Sequence, residues 1–502
     1  MIFNSVQFLI FFPIVTVLYF AFPLRCRWVW LLVSSYYFYM CWNPRYAALI
    51  AASTAITFCS GLLIQRETQK PPEAQRKKRW VALSFLLNLA ILFFFKYWGF
   101  FSQNVIALGG LFDIQIQMPQ FDILLPVGIS FYTFQALSYT MDVYRGEIYA
   151  EKNFFKYALF VSFFPQLVAG PIERSKNLLV QVNQPHTFDP DRARDGMLLM
   201  LWGFFQKVVI ADRIATLVDH VYNRWNEVAG ISIVLATILF AVQIYCDFGG
   251  YSDIAIGAAQ ILGFRLMENF RQPYLSKSCG EFWRRWHISL SSWFRDYLYI
   301  PLGGNRKGKR HKYFNNFITF LVSGLWHGSQ WSYVVWGGLN GIYQIIGDIS
   351  KPFRQKIIHI LHIPQHSKLW TAVRILMTFC FIDFAWLFFR APSFMTAISM
   401  IRRTVIGLYP ESLLAVGPDG TVTSLGIYTL GLDIAEFWLA IIAILILLIV
   451  DLIKEKRPIR PYIAKLPLVP RWAFYLVSLY IILIFGAYGP GFDAAAFIYF
   501  QF

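Results

Sequence analysis

Two histidines lie in stretches that otherwise have the composition of membrane helices, and they are the first candidates for chemistry. His327 is near the middle of the apolar run 315–339, between a tryptophan and a glycine, and His287 lies in the amphipathic run 280–302. A titratable ring at membrane depth is costly unless it faces a protein interior or a wet cavity, so such a histidine indicates a functional site. The alternative is a hydrogen-bonded packing residue, since histidine also joins membrane helices.

Three chemistries would use a pair of such histidines. Imidazoles ligate haem or metals, but no further histidine lies at membrane depth and no ligand spacing recurs, so we expect no metal site. Proton-coupled transport would need buried carboxylates as a relay, for which the sequence offers Asp142, Glu173 and Asp247. In acyl transfer, a histidine removes the proton of a hydroxyl that attacks a thioester carbonyl. The two histidines alone leave these alternatives open.

The composition indicates that membrane helices position these histidines. Of the 502 residues, 57% are hydrophobic and only 15% are charged, which is too apolar for an ordinary soluble chain. No repeat or low-complexity linker divides the chain, so we expect one membrane domain over residues 1–502, with about 11 to 13 membrane helices. The apolar runs behind this count are residues 8–23, 28–42, 46–64, 80–101, 123–140, 155–168, 197–214, 231–248, 370–389, 437–453 and 472–485. The six cysteines show no paired spacing, which argues against a disulfide framework or a zinc site.

The formal charge of +17 lies in short loops between the apolar runs, which is typical of cytoplasmic loops rather than of a nucleic-acid-binding protein. Four basic clusters are predicted to be cytoplasmic: 66–79, 306–312, 351–368 and 454–471. The N-terminus has no basic n-region or cleavage site, so it is predicted to be a first membrane helix rather than a removable signal. Counting helices back from the first cluster places the N-terminus outside the cell. The absence of basic residues after Trp472 places the C-terminus there too, and the polar stretch 410–423 is also predicted to be outside.

The same charge pattern predicts the course of the chain around each histidine. Because Lys312 and Lys351 both belong to cytoplasmic clusters, the segment between them should enter the membrane and return as a hairpin, with His327 near its far turn. The run 280–302 predicts a single amphipathic helix with Glu281 paired to Arg285. Its apolar face is predicted to hold Trp283, His287, Leu290 and Phe294.

Eight motifs in this order resemble those of the membrane-bound O-acyltransferase (MBOAT) superfamily, and within it the alginate O-acetylation branch. Four motifs are common to the superfamily: QIYCDFGGYSDIAIG at 243–257, NFRQPY at 269–274, EFWRRWHISL at 281–290 and GLWHG at 324–328. Four more resemble the branch: MIFNS at 1–5, PVGISFYTFQ at 126–135, AGPIER at 169–174 and FAWLFFR at 384–390. The resemblance covers nearly the whole chain.

This resemblance implies an all-α polytopic membrane protein, in which a helical shell with re-entrant and interfacial helices surrounds a transmembrane tunnel. It implies that His327 is the catalytic histidine and that His287 is its partner. An acyl thioester on the cytoplasmic side, acetyl-coenzyme A or another, would be the donor substrate, with no bound cofactor. The acceptor hydroxyl would be reached from the outer side.

The predicted function is therefore O-acetylation of an extracytoplasmic polysaccharide at a bacterial cytoplasmic membrane, directly or through a secreted acetyltransferase partner. D-alanyl transfer toward teichoic acid and, from a different class, proton-coupled transport remain alternatives. The expected partners are the lipid bilayer, the donor and the acceptor, and no nucleic acid. Residues predicted to line the tunnel are Trp283, Trp286, Trp326, Asp247, Tyr251 and Asn269. Aromatic packing accounts equally well for the three tryptophans.

Overall fold

The computed structural model describes residues 1–121, 125–365, 367–407 and 434–488, and the backbone of two short strands. These strands, β1 (Ala415–Val416) and β2 (Val422–Thr423), form one small antiparallel pair. All other regular structure in the described residues is helical. The chain is an all-α polytopic membrane protein, as predicted.

The described residues form two compact units, of which the first comprises residues 1–200 and 252–268. Its helices are α1 (Val6–Ala21), α2 (Leu24–Met40), α3 (Tyr46–Thr68), α4 (Lys77–Leu92), α5 (Trp98–Gly110), α6 (Ile129–Arg145), α7 (Phe154–Ser162), α8 (Phe164–Leu167), α9 (Val180–Val182) and most of α10 (Pro190–Phe204). A 3₁₀ turn at Pro72–Ala74 and π-helical turns at Phe93–Tyr97 and Ser175–Leu179 complete it. Some buried polar groups pair inside this unit, as where Ser175 donates to Asp142 at 2.6 Å.

The second unit comprises residues 201–251 and those described from 269 onward. Its helices are α11 (Asp212–Asn223), most of α12 (Gly230–Leu262), α13 (Cys279–Arg285), α14 (Ile288–Phe294), α15 (Lys309–His327), α16 (Trp331–Ile349), α17 (Lys351–Ile360), α18 (Lys368–Arg390), α19 (Phe394–Ile406), α20 (Ile434–Lys454), α21 (Arg460–Ala464) and α22 (Leu468–Phe485). A 3₁₀ turn lies at Pro273–Leu275, and π-helical turns lie at Phe205–Ala211 and Arg295–Tyr299. Both predicted catalytic histidines belong to this unit. The prediction of one membrane domain over the whole chain stays a prediction.

Six helical segments in the described part of the chain are long and apolar enough to cross a membrane. They are Tyr46–Thr68, Pro72–Gly110, Gly230–Leu262, Lys368–Arg390, Ile434–Lys454 and Leu468–Phe485. Helix α1 is apolar but shorter. The chain is therefore a multi-pass membrane protein, while the larger predicted count of about 11 to 13 helices stays a prediction.

Some topology predictions concern residues outside the described part of the chain. The predicted outer loop 410–423 is described only as the backbone of β1 and β2, and residues 489–502 at the C-terminus are not described. The sides of the membrane on which the two termini lie remain predictions.

The amphipathic run 280–302 is not the single helix that its periodicity predicts. Helix α13 begins at an N-cap, where the Ser278 hydroxyl accepts the Glu281 amide at 3.2 Å, and it ends at Arg285. His287 then adopts the left-handed conformation, with φ 43° and ψ 54°, before α14 begins. This break turns His287 out of the predicted helical face. The predicted ion pair of Glu281 with Arg285 is confirmed, at 2.7 Å.

The structure contains the predicted helical hairpin around His327, while its entry into the membrane from the cytoplasmic side stays a prediction. Helix α15 ends at His327, a short connection follows, and α16 returns against α15. The helices approach so closely that a Cβ added at Gly324 would lie 2.2 Å from the Tyr333 carbonyl oxygen, and one at Gly337 would lie 2.3 Å from the Phe320 carbonyl oxygen. Only glycine permits this approach. The glycines thus bring the end of α15 into the interior of the second unit.

Candidate functional site

His287 is held in its turn by a short backbone ladder to the segment that precedes α13. The Ile288 amide donates to the Asn269 carbonyl, and the Arg271 amide donates to the Arg285 carbonyl, each at 2.9 Å. A left-handed conformation costs a non-glycine residue about 1–2 kcal/mol. Two hydrogen bonds of about 0.5–1.5 kcal/mol each offset that cost, which explains why the helix breaks here.

The Asn269 side chain fixes the orientation of the His287 ring. The Asn269 Oδ1 lies 3.0 Å from His287 Nδ1 and 2.9 Å from the Ser289 hydroxyl, which donates to it. The Ser289 backbone amide also points to the same atom, at 3.4 Å, which identifies the atom as the amide oxygen. Because an amide oxygen only accepts hydrogen bonds, His287 Nδ1 carries a proton in the neutral ring and Nε2 carries the lone pair. Asn269 therefore fixes the tautomer of His287.

His327 is positioned mainly by aromatic rings. It is 3% exposed, and its ring centroid lies 5.0 Å from that of Trp326, 5.0 Å from that of Trp336 and 5.4 Å from that of Phe389. Each of these contacts is near-perpendicular. Edge-to-face packing of this kind contributes about 0.5–1.5 kcal/mol per pair beyond the burial of surface. The imidazole is thus held in an aromatic box at the turn of the hairpin.

The two histidines, forty residues apart in the sequence, meet in the structure. Their ring centroids are 6.3 Å apart, and the Trp326 ring lies 6.1 Å from that of His287. One hydroxyl group can bridge two imidazoles at about this separation where a nitrogen of each ring faces it. Of the predicted site residues, Trp326 and Asn269 therefore lie beside the histidines.

The other two predicted tryptophans lie one layer further out. Trp283 donates its indole N–H to Asn340 Oδ1 at 3.1 Å and packs on Trp336. Trp286 is 1% exposed and packs between Phe282 and Trp386, at 5.4 and 5.1 Å between ring centroids. Both indoles therefore support the walls around the histidines, and their place in a tunnel stays a prediction.

Asp247 lies in a buried charge cluster with Lys207 and Asp212. Lys207, in a π-helical turn, donates to Asp247 at 2.6 Å and to Asp212 at 2.7 Å, and all three side chains are buried. Phe248, the next residue on α12, packs on the His287 ring at 4.7 Å. The cluster anchors the turn of α12 that carries this contact. Tyr251, one turn further along the same helix, is buried, and its predicted role in a tunnel is not decided by its position.

One exposed ion pair lies beside the turn of His287. Arg285 donates to both carboxylate oxygens of Glu455, at 2.6 and 2.9 Å, and also to Glu281. The hydrogen bonds from Arg285 hold the pKa of the Glu455 carboxyl below its ordinary value. Among the described residues, no group of three or more His, Cys, Asp or Glu side chains is arranged to hold a metal ion.

Sequence reasoning missed three aromatic residues of the site. Phe248 and Phe389 lie inside motifs that carried the family resemblance, and Trp336 lies in the apolar run of His327. In a sequence with 49 Phe and 17 Trp, nothing distinguishes these rings from lipid-facing ones. Only the contacts to His287 and His327 identify them.

With this fold and site in view, comparison with known proteins defines the class. A model of the MBOAT, membrane-bound O-acyltransferase family matches residues 150–390, a range that includes both histidines. Relatives that are about 40% identical to this chain align with roughly four fifths of its length. The chain belongs to the membrane-bound O-acyltransferase family, and it is an O-acyltransferase.

The individual relatives indicate the branch. The chain is 40% identical to the probable alginate O-acetylase AlgI of Pseudomonas putida over 402 residues, which is 80% of this chain and 79% of that protein. It is 32% identical to the peptidoglycan O-acetyltransferase of Helicobacter pylori, over 78% of this chain and 76% of that protein. It is 26% identical to the teichoic acid D-alanyltransferase of Bacillus subtilis, over 62% of this chain and 77% of that protein. The chain falls in the alginate O-acetylation branch of the family.

Proposed function

We propose that this protein moves an acetyl group from a cytoplasmic thioester, such as acetyl-coenzyme A, across the membrane for O-acetylation of an extracytoplasmic polysaccharide. The observation that carries the proposal is the buried pair of His287 and His327, with ring centroids 6.3 Å apart, in a chain of this family. The acetyl group passes to the sugar hydroxyl directly or through an acetyltransferase partner on the outer side. The names of the Pseudomonas and Helicobacter relatives support an acetyl group and a polysaccharide acceptor.

In the proposed reaction, His327 is the general base. It takes the proton of the acceptor hydroxyl as the hydroxyl oxygen attacks the thioester carbonyl. The tetrahedral intermediate then collapses, the carbon–sulfur bond breaks, and His327 returns the proton to the leaving thiolate. An ester and a thiol replace a thioester and an alcohol, with no net proton exchange. The aromatic box around His327 excludes water, which protects the thioester from hydrolysis.

His287 orients the acceptor in this proposal. With Nδ1 donating to Asn269, Nε2 is the ring nitrogen that would accept a hydrogen bond from the hydroxyl or share its proton. Complete burial favours a neutral ring at this position, because an imidazolium would lose its hydration. Holding the hydroxyl between two rings supplies rate by proximity.

The proposed setting is a bacterial cytoplasmic membrane, with both termini outside and the donor reaching the histidines from the cytoplasm through a tunnel. The bacterial relatives and the six apolar spans support the setting. The basic clusters support the orientation, since cytoplasmic loops are enriched in lysine and arginine. Trp283, Trp286, Trp326, Asp247, Tyr251 and Asn269 are proposed to line or support the tunnel.

One experiment tests the reaction. Purified protein in lipid nanodiscs is incubated with acetyl-labelled coenzyme A, and the released thiol and the labelled acceptor are measured for the wild type and for His327→Ala. Loss of a general base lowers the rate by about 10²–10⁴-fold. His186→Ala is the control, because His186 is a partly buried histidine of the first unit with a hydrogen bond to the Gln181 carbonyl.

The outcomes separate the alternatives. Thiol release that depends on His327 and not on His186 supports the proposal. Unchanged turnover in His327→Ala overturns the catalytic assignment.

The likeness to the Bacillus D-alanyltransferase makes D-alanyl transfer the second candidate. If the protein turned over a D-alanyl carrier-protein thioester but not acetyl-coenzyme A, the result would establish D-alanyl transfer instead.

A further inference from the structure

Two carboxylates at the end of α20 are tied to the segments that hold His287. Asp451 accepts a hydrogen bond from the Tyr245 hydroxyl at 2.9 Å, and Glu455 accepts the two from Arg285. The Glu455 amide donates to the Asp451 carbonyl at 2.9 Å, so the two residues follow one another on a single helical turn. We call Asp451 and Glu455 the carboxylate pair.

The tie through Glu455 reaches His287 along the backbone. Arg285 is the last residue of α13, two residues before His287, and its carbonyl accepts the Arg271 amide. That bond belongs to the ladder that brings Asn269 to the His287 ring. Both carboxylate oxygens of Glu455 accept hydrogen bonds from Arg285, in the bidentate geometry that fixes a guanidinium most firmly.

The tie through Asp451 reaches the same place through aromatic rings. The Tyr245 ring lies 6.0 Å from that of Phe270 and 6.3 Å from that of Trp286. Phe270 follows Asn269, and Trp286 precedes His287. The hydrogen bond to Asp451 fixes the Tyr245 hydroxyl. The Tyr245 ring therefore packs against both of the backbone segments that the ladder joins. Two contacts of different kinds therefore converge on one turn.

We infer that the carboxylate pair positions His287 for acyl transfer, so that α20 is a part of the catalytic machinery and not only a membrane anchor. Helix α20 lies outside residues 150–390, the range that the family model matches. The left-handed turn of His287 is costly by itself and depends on its surroundings to persist. The carboxylate pair contributes stabilising contacts to this turn from a part of the chain about 170 residues away. The inference rests on the proposed function, in which His287 orients the acceptor.

The test uses Asp451→Asn together with Glu455→Gln in the full-length protein. These amides keep the shape of the side chains and remove their charge, so the protein should fold. We expect kcat to fall about tenfold, because a small displacement of a positioned group is costly in rate. The KM for the thioester donor should stay within about twofold, since the donor itself is not contacted. The thermal midpoint should fall only slightly, because Glu455 belongs to an exposed ion pair.

Hydrogen exchange supplies a readout that does not depend on activity. The amides of Arg271 and Ile288 are ladder donors, and their peptides should exchange faster in the double variant than in the wild type. Asp348→Asn is the matched control. Asp348 is an exposed carboxylate that accepts a hydrogen bond from Lys312 at 2.7 Å, at the opposite end of the hairpin from His327. The kcat of this control variant and its hydrogen exchange at residues 271 and 288 should equal those of the wild type.

The outcomes are distinguishable. Unchanged kcat and unchanged exchange in the double variant overturn the positioning role, and so does a rate loss that the Asp348 control shares. A wild type without thioester turnover would overturn the proposed function instead. In that case faster exchange at 271 and 288 would still show that the carboxylate pair holds the turn.

Discussion

The turn that carries His287 and the turn that carries His327 are built in different ways. The His287 turn has a left-handed backbone, and hydrogen bonds to Asn269 and Arg271 maintain it. The His327 turn ends an ordinary helix, and close helix packing at Gly324 and aromatic rings around the imidazole maintain it. Polar contacts are directional, whereas packing contacts specify mainly shape.

This difference shows that the two turns control different properties of the two histidines. Hydrogen bonding at His287 sets which ring nitrogen carries the proton. Packing at His327 sets where the imidazole sits and keeps water away. In the proposed reaction both histidines must present an unprotonated nitrogen to the hydroxyl, and the hydrogen bond to Asn269 identifies that nitrogen for His287. Breaking each turn by its own means should therefore produce different losses of stability and activity.

The largest effect is expected from closing the space that the hairpin needs. Gly324→Ala places a Cβ 2.2 Å from the Tyr333 carbonyl oxygen and 3.1 Å from the Gly337 Cα. Forcing the helices apart should cost about 1–3 kcal/mol or more and displace His327. Thermal unfolding of the purified protein, together with thioester turnover, checks this. Gly347→Ala in α16 is the control, because a Cβ there meets nothing within 4 Å. Equal losses in both variants would contradict the account.

The next effect separates the polar turn from the packed one. Asn269→Ala removes the acceptor for His287 Nδ1 and the Ser289 hydroxyl. Leaving buried donors unsatisfied costs about 1–3 kcal/mol, and we expect kcat to fall roughly 10- to 100-fold with the donor KM nearly unchanged. Asn88→Ala is the control, since Asn88 is equally buried and accepts a hydrogen bond from Ser53 at 2.6 Å. If the Asn88 variant lost as much kcat, the effect would reflect general destabilisation.

A smaller effect should distinguish packing from substrate contact at Trp283. Trp283→Phe keeps an aromatic ring and removes the N–H that donates to Asn340. We expect a loss of about 1 kcal/mol in the free energy of unfolding, with an unchanged KM for the donor. A double-mutant cycle with Asn340→Ser should show that the two losses are not additive. A raised KM with unchanged stability would instead put this indole in the substrate path.

The smallest effect concerns pH at the ion pair beside His287. Arg285 lowers the pKa of the Glu455 carboxyl, with help from the charges of Lys277 and Arg271. A carboxyl with a depressed pKa adds stability above its unfolded pKa of about 4.3 and loses it as pH falls through the lower folded value. The contribution of this exposed pair is about 0.2–1 kcal/mol. Thermal midpoints of the wild type and Glu455→Gln should differ at neutral pH and converge below about pH 4. A difference that persists in acid would contradict this.

Local patterns predicted some parts of the site well. The Glu281–Arg285 pair follows from their spacing within one helix, and the hairpin of His327 follows from basic residues on both sides of an apolar run. The ion pair and the helical hairpin were predicted correctly because residues near one another in the sequence, rather than distant contacts, decide them. The continuous helix over 280–302 was wrong for the opposite reason. Its periodicity is real, but tertiary hydrogen bonds to Asn269 and Arg271 favour the break.

The sequence by itself determined that this is an all-α polytopic membrane protein, that it belongs to a family of O-acyltransferases, and that His287 and His327 are its candidate catalytic residues. Composition, loop charges and motif order carry that information without any contact between distant residues. Only the tertiary structure decided that Asn269 sets the tautomer of His287, that Lys207 pairs with Asp247, and that Glu455 of the C-terminal part reaches Arg285. Buried polar groups must find partners wherever the fold brings them together, and sequence spacing does not specify which partner that will be.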